Sequence, residues 1–107
     1  IVIVLLGGND YIRRFSVDEA FENLDRIVAR IQQKGALVIL VGMQSPLGRY
    51  EGRYRDLARR RGCPYVPDVL DGILSNESLR ADPLHPNNAG YEIVADRIGA
   101  VLAPYVR

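Results

Sequence analysis

Two aliphatic runs dominate the first half of the chain, residues 1–6 (IVIVLL) and residues 36–41 (ALVILV), and each leads into glycine. Neither alternates with polar residues, which is the pattern of a strand covered on both faces in a parallel sheet. Between them, apolar residues recur three to four apart at Ala20, Phe21, Leu24, Ile27, Val28 and Ile31. That spacing predicts an amphipathic helix. Ser16 with Glu19 three residues on fits a capping box, and Gly35 stands where a left-handed C-terminal cap belongs.

A second helix is expected over residues 50–61, with Tyr54, Leu57 and Ala58 inward, Arg55, Arg59 and Arg60 outward, and Gly62 as its stop. Residues 64–67 (PYVP) read as a short strand bounded by prolines. Residues 68–74 (DVLDGIL) fit a helical turn or two, and the polar, proline-punctuated residues 75–88 read as loop. From residue 87 onward, Tyr91, Val94, Ile98, Val101 and Leu102 keep helical spacing to an end near Pro104. The order β-α-β-α-β-(α)-α predicts an α/β fold with three α/β/α layers and a parallel sheet. Sites in such sheets form at the carboxyl ends of the strands. Asn9 and Asp10 follow one strand and Gln44 and Ser45 the next, so both loops are expected on one edge.

Composition narrows the function without choosing it. The 107 residues suit one domain, residues 1–107, and 48% hydrophobic and 25% charged residues are ordinary for a soluble globular protein. A net charge of +1 gives no electrostatic case for nucleic acid or an anionic membrane. The arginines of RYRDLARRRG read as a solvated helix face. No apolar stretch is long enough for stable membrane insertion. Cys63 is the one cysteine, so neither an internal disulfide nor a thiolate metal cluster is expected. No internal repeat or low-complexity segment is present.

The one histidine, His85, lies in ADPLHPNN, three residues after Asp82. With Pro83 bending the chain, the carboxylate is within reach of the near imidazole nitrogen. It would fix the tautomer there and stabilise the imidazolium. The other nitrogen would then serve as a general base. Taken alone, the spacing fits a plainer reading better: a turn-initiating aspartate and a surface histidine ahead of a helix cap at Asn87. Asn9 is a second candidate, since a neutral amide stabilises an oxyanion without titrating, and the Gly8 amide could add a donor. Gly-Asn-Asp is also good turn chemistry, so this signal too stays open by itself. A metal site from Asp10, Asp82 and His85 has weak support in a single histidine. Nucleotide binding at GGND lacks the G-x-G-x-x-G pattern.

Taken together, LGGND and ADPLHPNNAGY resemble the SGNH, or GDSL-type, hydrolase superfamily. Residues 23–46 and 66–98 resemble its bacterial acyl-CoA thioesterase I, lysophospholipase and arylesterase branch. The resemblance implies a flavodoxin-like SGNH hydrolase fold, incomplete at its N-terminus. It implies that Asn9 and Gly8 serve an oxyanion hole and that Asp82 and His85 belong to a Ser-His-Asp triad. Met43, Gln44, Ser45, Pro46 and Leu84 are expected to wall an acyl pocket. The implied partner is a small acyl ester or thioester, with no metal or organic cofactor, in a bacterial periplasmic or secreted setting.

The family's G-D-S block, which carries the nucleophilic serine, has no match here. Ser16 reads as a helix cap, Ser75 and Ser78 as loop residues, and Ser45 as pocket wall. The chain opens in mid-strand without a methionine and is expected to be the C-terminal portion of a longer esterase. By itself it is expected to be inactive, with an apolar sheet edge uncovered. The rival expectations are a non-catalytic interaction domain of the same fold and a carbohydrate O-acetylesterase. The sequence leaves oligomeric state open.

Overall fold

The structure is a computed structural model and describes residues 1–6, 16–44 and 50–106. Strands β1 (Val2–Val4), β2 (Val38–Val41) and β3 (Tyr65–Val66) form a parallel sheet in that order. Val2, Ile3 and Val4 stand opposite Val38, Ile39 and Leu40, and Leu40 and Val41 stand opposite Tyr65 and Val66. The helices are α1 (Val17–Gln33), α2 (Glu51–Arg61) and α3 (Asn88–Leu102).

Strand alternation sorts the core into two faces. Val38 and Leu40 join Val4 beneath α1 and α2, against Phe21, Leu24, Val28, Tyr54, Leu57 and Ala58. Ile39 and Val41 point the other way, with Val66, Val69, Ile73 and Val94 of α3. The three layers expected from the sequence are therefore present. All four residues of β2 are buried, each contributing roughly 1.5–3 kcal/mol through apolar burial.

Residues 1–6 depart from the expectation of a strand covered on both faces. Only Val4 is buried, while Ile1, Val2, Ile3, Leu5 and Leu6 are exposed. The cause is topological: among the described residues β1 has one sheet neighbour, β2. An aliphatic run records what a strand can bury and leaves open which neighbour covers it.

The helix signals hold locally. Ser16 Oγ accepts the Glu19 amide at 3.4 Å, and Gly35 has φ +83 just past the end of α1. Gly62 closes α2 in the left-handed conformation at φ +67. Of the stripe on α1, Ile27 is exposed, at the margin of its buried face; on α3, Tyr91 is exposed too. The α2 arginines face solvent, and Arg61 holds Asp25 of α1 through two 2.7 Å hydrogen bonds.

Residues 75–88 carry more structure than the expected loop. A 3-10 helix, Glu77–Leu79, leads into an antiparallel hairpin of β4 (Arg80–Asp82) and β5 (His85–Pro86). Residues 69–75 form successive turns rather than a helix, with Asp71, Ile73 and Asn76 amides bonded three residues back. At the end of β2, Gly42 donates to Val66 O and accepts from Val69 N. A Cβ at Gly42 would collide with the Tyr65 hydroxyl and ring.

Candidate active site

Asp82 and His85 come together in the hairpin. His85 Nδ1 lies 2.9 Å from Asp82 Oδ1 and 3.0 Å from Oδ2. The Leu84 amide donates to Asp82 Oδ1 at 2.8 Å. That amide, followed by the His85 contact, holds the Asp82 carboxyl below the usual carboxylate range. An ionised carboxylate can only accept, so the contact orients the imidazole with Nδ1 toward Asp82 and Nε2 on the opposite side of the ring. Both side chains are open to solvent, 63% exposed for His85 and 52% for Asp82.

The pair is exposed, yet its support is built in. Pro86, next to His85, is buried, and α3 begins two residues later. Asn87 caps α3 by accepting the Gly90 amide at 3.0 Å and also donates from Nδ2 to Ser78 O at 2.8 Å. Gly90 packs so closely that a Cβ there would collide with Leu79 O, 2.8 Å from Pro86 Cβ and 3.0 Å from Ile73. Ile73 lies on the segment leaving the carboxyl end of β3. This contact ties the hairpin to the side of the sheet where an α/β site is expected.

Gln44 follows β2 and donates to Asp68 after β3, from its amide at 3.2 Å and from Nε2 at 3.4 Å. Met43 packs partly against the core beneath α1 and α2. Leu84 is exposed at the hairpin tip beside the histidine. Gly8, Asn9, Asp10, Ser45 and Pro46 lie outside the described residues. Tyr54, from α2, donates to Leu6 O at 2.8 Å, fixing the chain just before the segment that carries Asn9. An open cleft of about 550 Å³ lies between Gln44, Asp68 and Arg97, and none of Asp82, Leu84 and His85 lines it.

No described serine hydrogen-bonds His85: Ser16 caps α1, and Ser78 Oγ donates to Asn76 at 2.7 Å. Among the described residues no group of three or more histidine, cysteine or acidic side chains could hold a metal ion. No described helix is long and apolar enough to cross a membrane.

Sequence reasoning missed the residues that hold the site's supports. Arg97 Nη1 donates to Val69 O at 2.9 Å and Asp71 O at 2.8 Å, fastening the turns after β3 to α3. A cation one position from Ile98, on the helical stripe of Val94, Ile98 and Val101, was the available signal. The Asn87 bond to Ser78 had no signal, because it joins positions nine apart through a hairpin that the sequence did not predict.

The structure thus combines a three-layer α/β fold with an imidazole held against a carboxylate on the hairpin before α3. The chain belongs to the GDSL-like lipase/acylhydrolase family, whose model matches residues 1–93. It is 26% identical to "Esterase TesA" of Pseudomonas aeruginosa, over 97% of this chain and 56% of that protein. Against "Thioesterase 1/protease 1/lysophospholipase L1" of Escherichia coli K12 the identity is 27%, over 98% and 54%. The crystal structure of TesA superposes with a TM-score of 0.90 at 26% identity, covering 99% of this chain and 63% of that one. AlinE4, described as a SGNH-hydrolase family esterase, gives 0.68 at 31% identity, over 98% and 60%. The chain thus spans about half the length of the curated relatives it matches.

Proposed function

We propose that this chain forms the histidine- and aspartate-bearing part of a serine ester or thioester hydrolase. The observation that carries the reading is the His85–Asp82 contact at 2.9 Å on an exposed hairpin, with Nε2 turned to no described partner. The nucleophilic serine is assigned outside residues 1–107, in keeping with the length of the relatives. Its Oγ attacks the acyl carbon as His85 Nε2 takes the hydroxyl proton, and Asp82 stabilises the imidazolium. The tetrahedral oxyanion is received by the amide of Asn9 with the Gly8 backbone amide beside it. His85 then protonates the leaving alcohol or thiol. In the second half-reaction it takes a proton from water as that water attacks the acyl-serine carbonyl, and gives it to the serine oxygen as the acyl–oxygen bond breaks and the acid leaves.

The names of the relatives favour carboxylic esters, lysophospholipids and acyl thioesters as substrates. Full-length protein tested on p-nitrophenyl esters, acyl-CoA and acetylated sugars should turn over the first two and leave the third. Preference for acetylated sugars would make it an O-acetylesterase, and no turnover of any would favour an interaction domain. Asn9→Ala should lower kcat by roughly 10²–10³ with little change in KM. Unaltered turnover in that variant would remove Asn9 from the oxyanion hole.

A further inference from the structure

The hairpin that carries Asp82 and His85 consists of very short strands, and both reactive side chains are largely exposed. Neither strand length nor burial can hold their geometry. The hydrogen bonds around Asn87 can. Its amide donates to Leu79 O at 2.9 Å, and its carbonyl accepts the Tyr91 amide at 2.9 Å. Its side chain accepts from the Gly90 amide and donates to Ser78 O. One residue thereby ties together the 3-10 turn that leads to Asp82, the strand that carries His85 and the first turn of α3. The fit depends on Gly90, where any Cβ would push Leu79 O away.

We infer that Asn87 is a positioning residue for the reaction, using its Nδ2 bond to Ser78 O to set the approach of Asp82 to His85. This goes beyond its service as a helix cap and rests on the hydrolase reading above. A cap requires an acceptor alone, which serine, aspartate and asparagine all provide. Only asparagine among these also supplies a donor of the right reach toward Ser78 O. The Ser78 carbonyl cannot accept from a carboxylate, and a serine hydroxyl is too short to bridge both partners.

The experiment separates the two duties. In full-length protein, Asn87→Ser and Asn87→Asp keep the acceptor for the Gly90 amide and lose the donor to Ser78 O. Both are expected to melt within a few degrees of the parent. Both should lower kcat about 10- to 100-fold, with KM changed less than about twofold, as expected for a small misplacement of a reacting group. The Asp82 carboxyl resonance, followed through a pH titration by carbon NMR, should move its midpoint upward as the His85 contact loosens. Parent-like kcat or a parent-like Asp82 midpoint in both variants would overturn the inference. His85→Ala distinguishes the two failures. If it abolishes turnover while both Asn87 variants behave as parent, the hydrolase reading stands and the positioning role falls. If it leaves turnover intact, the hydrolase reading falls and takes the positioning role with it.

Discussion

Strand β2 and the β4–β5 hairpin solve opposite problems. The four residues of β2 are buried on both faces, so their positions are set by packing against α1 and α2 on one side and α3 on the other. The hairpin has exposed reactive side chains and is fixed instead by directed hydrogen bonds: the Leu84 amide on Asp82, and the Asn87 contacts with Ser78 and Leu79. Apolar packing resists the loss of volume. A hydrogen-bonded loop resists the loss of a particular donor. Stability and chemistry should therefore respond to different substitutions.

The largest expected effect falls on the hairpin. In full-length protein, His85→Ala should lower kcat by roughly three powers of ten or more, because the serine loses its base. Its melting temperature should stay near the parent's, since the imidazole is exposed; a fall of ten degrees would show that the hairpin shares the core's work. The converse substitution is Leu40→Ala in β2, which should cost about 2–5 kcal/mol by denaturant unfolding. Below its transition, that variant should keep a parent-like kcat per folded molecule. A specific loss of kcat there would mean that the core and the hairpin are coupled.

Asp25 with Arg61 gives a smaller effect on the α1–α2 contact. The Arg61 hydrogen bonds hold the Asp25 carboxyl below the usual carboxylate range, against the opposing influence of burial. A folded value below the unfolded one means that the contribution is present above the unfolded pKa, near 4. It is lost as pH falls through the lower folded value. Asp25→Asn should accordingly cost about 1 kcal/mol at neutral pH, the upper end for a solvent-screened pair, and progressively less as the pH is lowered below the unfolded value, as read from urea unfolding at several pH values. The smallest effect concerns Cys63, whose thiol is pushed up by burial. Its reaction with a disulfide reagent at pH 7 should be slower than that of a free thiol, and a faster one would contradict its half-buried setting.

The same contrast explains what the sequence made legible. Elements stabilised by periodic burial could be read from it: the stripe of α1, the inward Tyr54, Leu57 and Ala58 of α2, and the run that became β2. Their signal repeats along the chain. The aliphatic run of β1 was legible as a strand, but its coverage depends on neighbours that a local pattern does not name. The hairpin went unpredicted because its strands are too short for alternation and its pairing is written in single contacts. The Asp82–His85 pairing was readable from three-residue spacing, and resemblance raised it above the turn reading. The roles of Arg97 and Asn87 depend on contacts between separated segments, which no short window contains.

Gly42 and Tyr65 share one volume at the carboxyl end of the sheet, and that has a consequence for how the sequence can change. The constraint falls on Gly42: Gly42→Ala drives a methyl into the phenol, and Tyr65→Phe still leaves ring carbons 2.9 and 3.0 Å from that methyl. Tyr65→Val would vacate the space, so Gly42→Ala should be damaging by itself and much milder in the double variant. A designer who wants a side chain at Gly42 must therefore rewrite Tyr65 in the same step.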